Sequence, residues 1–118
     1  MTSTAELAAD FVALLKEGKH EEAARTFNAE DIASYESMPG PMAVCRGKEA
    51  VQKKGEWWFA NHEVHDFSAE GPYLNGDQFA VRFNVDVTVK ETGERRGMPE
   101  IGLYTVKDGK IVEERFFY

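Results

Sequence analysis

Hydrophobic and polar residues alternate along the second half of the chain. Between Phe79 and Val89 every odd position is apolar and most even positions are polar, which is the pattern of a β-strand with one buried face. Three turn-forming pairs separate this stretch from its neighbours: Asn75-Gly76, Thr92-Gly93 and Asp108-Gly109. The pattern predicts four consecutive antiparallel strands, one from His62 to Tyr73 and three between Gln78 and Tyr118, joined by two-residue hairpins.

The first sixty residues show helical spacing instead. Ser3 and Glu6 have the spacing of a capping box, and Leu7, Phe11, Leu14 and Leu15 follow at helical intervals until Gly18. Further helices are predicted from Glu21 to Phe27 and from Lys48 to about Phe59. These helices would cover the apolar face of the sheet, so the sequence predicts an α+β domain.

Two shorter segments connect the second and third helices. A short strand is predicted from Ile32 to Glu36, because this run is compatible with β-structure. The segment from Met38 to Met42 contains two prolines and a glycine, which exclude regular structure and predict a loop at the rim.

Length and charge limit the possible functions. A chain of 118 residues with 42% apolar content forms one domain, which we expect to span residues 1–118. Its net charge of -7 disfavours nucleic acid and anionic membranes as partners. A single cysteine, Cys45, is compatible with a reducing cytoplasm. We expect no cofactor, since the chain has no room for a separate cofactor domain. We expect no metal, since His62 and His65 would lie on opposite faces of their strand.

Counting outward from the predicted turns places a carboxyl group on the interior face of the sheet. Val85 would then face Asp66 on one side and Glu100 on the other, and Glu100 would face Phe117. An acid in an apolar interior must be paired or must have a raised pKa, and such acids are suited to proton transfer. Glu100 is therefore the first catalytic candidate. The alternative is a structural ion pair with Arg115, which is predicted to lie on the same face.

The other face of the predicted sheet mixes charged and apolar side chains. This mixture is typical of a subunit interface with a polar rim and predicts a homodimer through the sheet. A catalytic cluster of His65, Arg82 and Asp86 is an alternative interpretation of the same face. The residues assigned to this face are His65, Phe67, Arg82, Asn84, Asp86, Ile101, Leu103, Val112, Glu114 and Phe116.

The order of predicted elements and four short motifs resemble a known superfamily. The motifs are residues 11–18, 27–31 and 46–51, and the terminal run that begins at Asp108-Gly109. Together they are similar to the SnoaL-like branch of the nuclear transport factor 2-like superfamily. This resemblance implies a cone-shaped, cystatin-like α+β fold, with three N-terminal helices packed on a curved, mostly antiparallel sheet. It also implies an apolar pocket and a homodimer formed through the sheet.

Ketosteroid isomerase is a relative within this superfamily, and its motifs match the chain only in part. The resemblance places the general base of that enzyme at Glu36. It places the two oxyanion donors at Phe11 and Gly102, neither of which has a donor group. Loss of both donors would remove most of the stabilisation of an enolate, so steroid isomerase activity is not expected. Tyr35, Tyr104 and a protonated Glu100 could act as donors only in a rearranged site.

Two functions remain open from the sequence. The first is an enzyme that transfers a proton on a small apolar carbonyl compound, by isomerisation, dehydration or cyclisation, with Glu100, Glu36 and Tyr35 as catalytic residues. The second is a ligand-binding or dimeric interaction module without catalysis. The predicted ligand-binding residues are Phe11, Leu15, Met42, Trp57, Trp58, Phe83, Val85, Tyr104, Arg115 and Phe117.

Overall fold

A computed structural model describes residues 3–118. The elements are α1 (Thr4–Lys16), α2 (His20–Phe27), β1 (Asn28–Tyr35), β2 (Val44–Arg46), α3 (Lys48–Asn61), β3 (His62–Asn75), β4 (Gln78–Val89), β5 (Arg95–Lys107) and β6 (Lys110–Phe117). The predicted helices and long strands are confirmed, with small shifts at their ends. The short strand β2 was not predicted. Residues 1 and 2 of the predicted domain lie outside the described part.

The six strands form one sheet in the order β2-β1-β6-β5-β4-β3. All neighbours are antiparallel except β1 and β6, which run parallel. Helix α1 packs against β3 and β4, and α3 packs against β1, β2 and β3. The predicted α+β fold, with three N-terminal helices on a mostly antiparallel sheet, is confirmed.

Helix α1 begins at the predicted capping box. The backbone N–H of Glu6 donates to Oγ of Ser3 over 3.1 Å, which satisfies one of the free donors at the helix start. The apolar face of α1 presents Leu7, Phe11 and Leu15 to the interior, where all three are buried. They meet the odd-numbered side chains of β4, such as Phe79 and Val81, which are also buried. The two sequence periodicities therefore predict the core that forms between α1 and β4.

The lengths of the hairpin turns decide which predicted strand registers are correct. Asp108-Gly109 closes a two-residue turn between Lys107 and Lys110 as predicted, and both turn residues have positive φ, of 52° and 74°. The turn between β4 and β5 is longer, because the N–H of Val89 donates to the carbonyl of Glu94. Glu100 consequently faces Phe83 and not Val85, whose neighbour on β5 is Met98. This shift of two residues keeps Glu100 on the interior face.

Register shifts on β6 and β3 reverse the faces of several side chains. On β6, Thr105 pairs with Glu113 while Val106 pairs with Ile111, so Val112 is an extra residue. On β3, Tyr73 pairs with Ala80 but Glu70 pairs with Arg82, so one residue between them is extra and the faces of Phe67 and Asp66 are reversed. A second extra residue, His65, restores the predicted phase from Val64 onward. One added residue turns all following side chains to the opposite face.

The bulges overturn several predicted positions. The predicted pairing of Asp66 with Val85 is wrong, because Asp66 lies opposite Asp86 on the outer face and Phe67 faces Val85. Phe67 packs against the core and was wrongly assigned to the outer face. The residues turned over on β6 are Glu114 and Phe116, which now face the interior opposite Tyr104 and Gly102, and Arg115 and Phe117, which now face outward.

Within residues 3–118 no helix is both long and apolar enough to cross a bilayer.

Candidate active site

Three glutamates, from β5, β6 and the end of β1, converge on the interior face of the sheet. Glu36 follows β1, Glu100 lies on β5 and Glu114 lies on β6. Helix α3 adds Lys54, whose side chain is only 12% exposed. The four charged groups influence one another, since Glu36, Lys54 and Glu114 all contribute to the pKa of Glu100. We call these four residues the acid cluster.

Lys54 holds two of the three acids through direct contacts. Its Nζ lies 2.9 Å from Oε2 of Glu36 and 4.0 Å from Oε2 of Glu114. It also donates to Oγ of Ser34, whose hydroxyl donates to Oε2 of Glu114 over 2.7 Å. Tyr118 completes the arrangement by donating to Oε1 of Glu36 over 3.1 Å. Glu36 and Glu114 are therefore both fixed by partners.

Glu100 differs from the other two acids because no side chain in residues 3–118 hydrogen-bonds to its carboxyl group. Burial raises its pKa to about 7, with further increases from Glu36 and Glu114 and a decrease from Lys54. At neutral pH its protonated and ionised forms are therefore both populated. Glu100 is therefore the acid of the cluster whose carboxyl group no side chain in residues 3–118 holds.

The predicted ion pair between Glu100 and Arg115 is wrong. Arg115 lies on the outer face, where its Nε donates to Oε2 of Glu113 over 3.0 Å. Its guanidinium also lies 4.0 Å from the ring centroid of Tyr35. Tyr35, predicted to be catalytic, pairs with Arg115 across β1 and β6 and therefore lies outside the acid cluster. Phe117, a predicted ligand contact, is also on the outer face and is 50% exposed.

Sequence reasoning missed Glu114, Ser34 and Lys54. Burial raises the pKa of Glu114, while the hydrogen bond from Ser34 and the charge of Lys54 oppose this increase. One signal was available, because Lys54 lies three residues beyond the buried Val51 on α3 and so shares its inward face. The position of Glu114 depends on the bulge at Val112.

Aromatic side chains line the interior beside the acid cluster. Tyr104 is 3% exposed, and its ring stacks on Phe79 with centroids 4.9 Å apart. Phe11 contacts the same ring edge-on at 5.1 Å, and Phe116 does so at 6.2 Å. Of the predicted ligand contacts, Phe11 and Tyr104 therefore lie together beside the acids.

A glycine makes room for Tyr104. A Cβ atom at Gly102 would lie 2.9 Å from the Tyr104 hydroxyl oxygen, which is closer than such atoms approach in folded proteins. Gly102 and Phe11, the two positions at which the family resemblance implied donors, thus both border Tyr104.

The other predicted ligand contacts lie at varying depths. Leu15, Phe83 and Val85 are buried in the core, and Met42 and Trp58 are partly buried against it. Trp58 stacks on His62 with centroids 4.4 Å apart. Trp57 is 49% exposed and its predicted place in the pocket wall is therefore wrong.

Two surface depressions lie away from the acid cluster. One of about 510 Å³ is found at the start of α3, between Arg46 and Lys53. The other, of about 260 Å³, lies between Asp66 and Pro99 on the sheet. Neither is lined by a residue of the acid cluster, which holds the buried acids with raised pKa values that are typical of functional sites.

Across the described residues, no three His, Cys, Asp or Glu side chains are placed to share a metal ion. Cys45 is buried with a free thiol, and its Sγ contacts the carbonyl oxygen of Met42 at 3.9 Å.

The fold and this acid-lined interior define a class of protein, a cystatin-like α+β domain with ionisable groups inside. The sequence profile of the SnoaL-like domain matches residues 2–118. The chain therefore belongs to the SnoaL-like domain family, as the resemblance indicated.

Solved structures agree with this assignment. A candidate SnoaL-like polyketide cyclase from Mesorhizobium loti, whose name also carries the words carbohydrate phosphatase, is 63% identical. The alignment covers 99% of this chain and 100% of that one, with a TM-score of 0.97. A candidate isomerase from Bacillus subtilis is 20% identical over 98% and 88% of the two chains, with a TM-score of 0.77.

A third solved structure has the same fold at low identity. It is a cystatin-like protein of unknown function from Xanthomonas campestris, with a TM-score of 0.79, 18% identity, and coverage of 98% and 90% of the two chains. A search of curated proteins gave no match.

Substitution of Lys54 by methionine is expected to destabilise the fold. The change removes the cation between Glu36 and Glu114, and loss of one partner of a buried ion pair costs about 3–5 kcal/mol. Urea denaturation at pH 7.5 measures the free energy of unfolding. Lys53→Met is the matched control, because Lys53 is 70% exposed and its pair with Glu49 contributes about 0.5 kcal/mol or less. Equal losses in both variants would contradict a structural role for Lys54.

The raised pKa of Glu100 predicts a change in stability with pH. Because the folded chain binds this proton more tightly than the unfolded chain, the contribution is complete below about pH 4.5 and is lost as pH rises to about 7. Glu100→Gln should therefore reduce the fall in stability between pH 5 and pH 8, by on the order of 1–3 kcal/mol after solvent screening.

Urea denaturation at both pH values measures this difference. Glu113→Gln is the control, since Glu113 lies on the outer face beside Arg115. An unchanged pH dependence in Glu100→Gln would show that Glu100 titrates normally.

Proposed function

We propose that this SnoaL-like protein is an enzyme that transfers a proton on a small apolar carbonyl compound, with Glu100 as its general acid or base. The observation that carries the proposal is the unpartnered carboxyl group of Glu100, whose pKa is raised to about 7. A general acid or base is most effective when its pKa lies near the working pH. Glu36 and Glu114 are held in place by Lys54 and Ser34.

The proposed step is a simple proton transfer. The ionised carboxylate of Glu100 takes a proton from the carbon next to the carbonyl group, and the C–H electron pair moves toward the carbonyl oxygen. The protonated carboxyl then returns the proton to a different carbon, which completes an isomerisation. Dehydration and cyclisation begin with the same transfer, and the name of the Mesorhizobium loti relative is compatible with a cyclisation.

The charge and lining of the site favour a neutral, apolar substrate. Three carboxyl groups and one ammonium group give the acid cluster an excess of negative charge, which repels anions. The rings of Phe11, Phe79 and Phe116 around Tyr104 offer an apolar surface for a hydrocarbon skeleton.

Glu100→Gln should reduce turnover by two or more orders of magnitude, within the roughly 10²- to 10⁴-fold typical of general acid–base groups. A thermal-shift screen of small carbonyl compounds would supply the substrate, and steady-state kinetics would measure kcat. Glu113→Gln is the control and should retain wild-type kcat, because its carboxyl lies on the outer face.

The same kinetic measurements distinguish Glu100 from Glu36 as the general base. Unchanged turnover in Glu100→Gln, together with loss of turnover in Glu36→Gln, would move the base to the end of β1.

A non-catalytic ligand-binding or interaction module is the second candidate function. The close contacts among Phe11, Phe79 and Tyr104 favour it, because a filled interior leaves little room for substrate. Ligand binding that persists in Glu100→Gln, with no turnover of any bound carbonyl compound by the wild type, would favour this candidate.

We further propose that two copies associate through the outer face of the sheet. Ile101 and Phe117 are neighbours on β5 and β6 and are 38% and 50% exposed. Leu103 and Ala80 extend this apolar surface across β5 and β4. Burial of such a surface is the usual basis of a symmetric dimer. Phe67 and Phe116, which the sequence had assigned to this interface, face inward and take no part.

Sedimentation velocity at micromolar concentration should give a dimer for the wild-type chain. Leu103→Asp should give a monomer, because it places a charge within the apolar surface. Leu74→Asp is the matched control, since Leu74 is exposed in the β3–β4 hairpin away from β5. A monomeric wild type, or a dimer that tolerates Leu103→Asp, would exclude this interface.

A further inference from the structure

The loop between β1 and β2 begins in the acid cluster. Its first residue is Glu36, and residues 36–43 have no regular structure. The backbone N–H of Glu36 donates to the carbonyl of Ala43 over 2.8 Å and closes the base of the loop. Above this base, the residues from Ser37 to Pro41 are exposed. The position of this part of the loop therefore depends on contacts with other elements.

Two hydroxyl groups fasten the loop to the residues at the end of β6. The hydroxyl of Ser37 donates to the carbonyl of Phe116 over 2.6 Å. The hydroxyl of Tyr118 donates to Oε1 of Glu36 over 3.1 Å. Both donors belong to exposed residues, and such hydrogen bonds open at a small cost in free energy. We call residues 37–42 the lid and these two hydrogen bonds the latch.

The ring of Tyr118 lies between solvent and the acid cluster. Its side chain belongs to a residue that is 53% exposed, while its hydroxyl reaches Glu36, whose side chain is 22% exposed. Burial and the charge of Glu36 raise the pKa of Tyr118, and the charge of Glu100 adds to the increase. The latch is therefore close to two of the three acids.

The other end of the lid covers a buried region beside the acid cluster. Met42 packs against the core, and its carbonyl oxygen lies 3.9 Å from Sγ of Cys45. Cys45 lies directly opposite Ser34 across β2 and β1, so both side chains are on the same face of the sheet. Ser34 in turn hydrogen-bonds with Lys54 and Glu114. The thiol of Cys45 is thus a neighbour of the cluster.

The lid is held less firmly than the strands around the cluster. Strands β1, β5 and β6 are paired by backbone hydrogen bonds along the sheet, whereas the latch consists of two side-chain bonds at the surface. Loops with such attachments open more readily than paired strands. The two surface depressions are not lined by the cluster, so a ligand of Glu100 needs another route.

We propose that residues 37–42 form a lid, which opens when the hydrogen bonds of Ser37 and Tyr118 break and admits the carbonyl substrate to Glu100. The part that concerns the substrate rests on the proposed function, whereas the opening itself does not. Lys54 still holds Glu36 when the latch is broken, so the cluster keeps its charges. Closure of the lid then excludes water during the proton transfer.

Cys45 is a natural reporter of lid opening, because it is the single cysteine of the chain and its thiol is buried beside Met42. Alkylation by iodoacetamide, a small neutral reagent, measures how often the thiol becomes accessible, and mass spectrometry measures its rate. Tyr118→Phe and Ser37→Ala each remove one bond of the latch. Each should speed alkylation at pH 7.5 by about 2- to 10-fold, the value of one hydrogen bond.

Matched controls come from the opposite edge of the sheet. Tyr73 and Ser68 are exposed on β3, which is the edge strand farthest from β2. Tyr73→Phe and Ser68→Ala make the same chemical changes as the latch variants, and both should be alkylated at the wild-type rate.

Urea separates lid opening from global unfolding, which would also expose Cys45. Lid opening exposes little surface, so the rate of wild-type alkylation should rise by less than about 5-fold between 0 and 1 M urea. A larger rise, as expected when the whole chain must unfold, would overturn the proposal.

The variants distinguish failure of the lid from failure of the proposed function. Unchanged alkylation in either latch variant, or equal acceleration in the β3 controls, overturns the lid and leaves the Glu100 kinetics to decide catalysis. Faster alkylation in both latch variants alone supports the lid, even where Glu100→Gln has no effect on turnover.

Discussion

The charge of Lys54 is the interaction on which the interior depends. Three carboxyl groups face the same side of the sheet, and without a nearby cation their burial and mutual repulsion would strongly favour protonation or unfolding. The Nζ of Lys54 contacts Glu36 and Ser34 directly, and Ser34 in turn donates to Glu114. This leaves Glu100 near the cation but unpaired. The single lysine thus separates two paired acids, Glu36 and Glu114, from one unpaired acid, Glu100.

The same arrangement gives the buried acids different hydrogen-bond partners. Glu100 and Glu114 both have a raised pKa because of burial. Glu114, however, receives a hydrogen bond from Ser34, whereas Glu100 receives none from the described side chains. Pairs of acids whose surroundings differ in this way are typical of sites that transfer protons.

The rings of Phe11, Phe79 and Tyr104 form an aromatic layer between the sheet and α1. Stacking of Tyr104 on Phe79, with Phe11 at its edge, fills the interior and stabilises the sheet against α1. The same packing places Phe11 and Phe79 in contact with each other as well as with Tyr104.

Local patterns in the sequence determined the α+β fold. The alternation along β4, the capping box of α1 and the turn at Asp108-Gly109 each act over a few residues, so they could be recognised directly. The interior position of Glu100 was also predictable, because an error of two residues in register leaves a side chain on the same face.

Only the tertiary structure decided the faces of β6. In this strand the residue types come in doublets, Ile111-Val112, Glu113-Glu114 and Phe116-Phe117, so alternation gives no preferred phase. The bulge at Val112 selects one phase through contacts with β5, which are distant in sequence. That choice turns Glu114 toward Lys54 and Arg115 toward Tyr35. The partners of the site therefore depend on long-range packing, which no local pattern records.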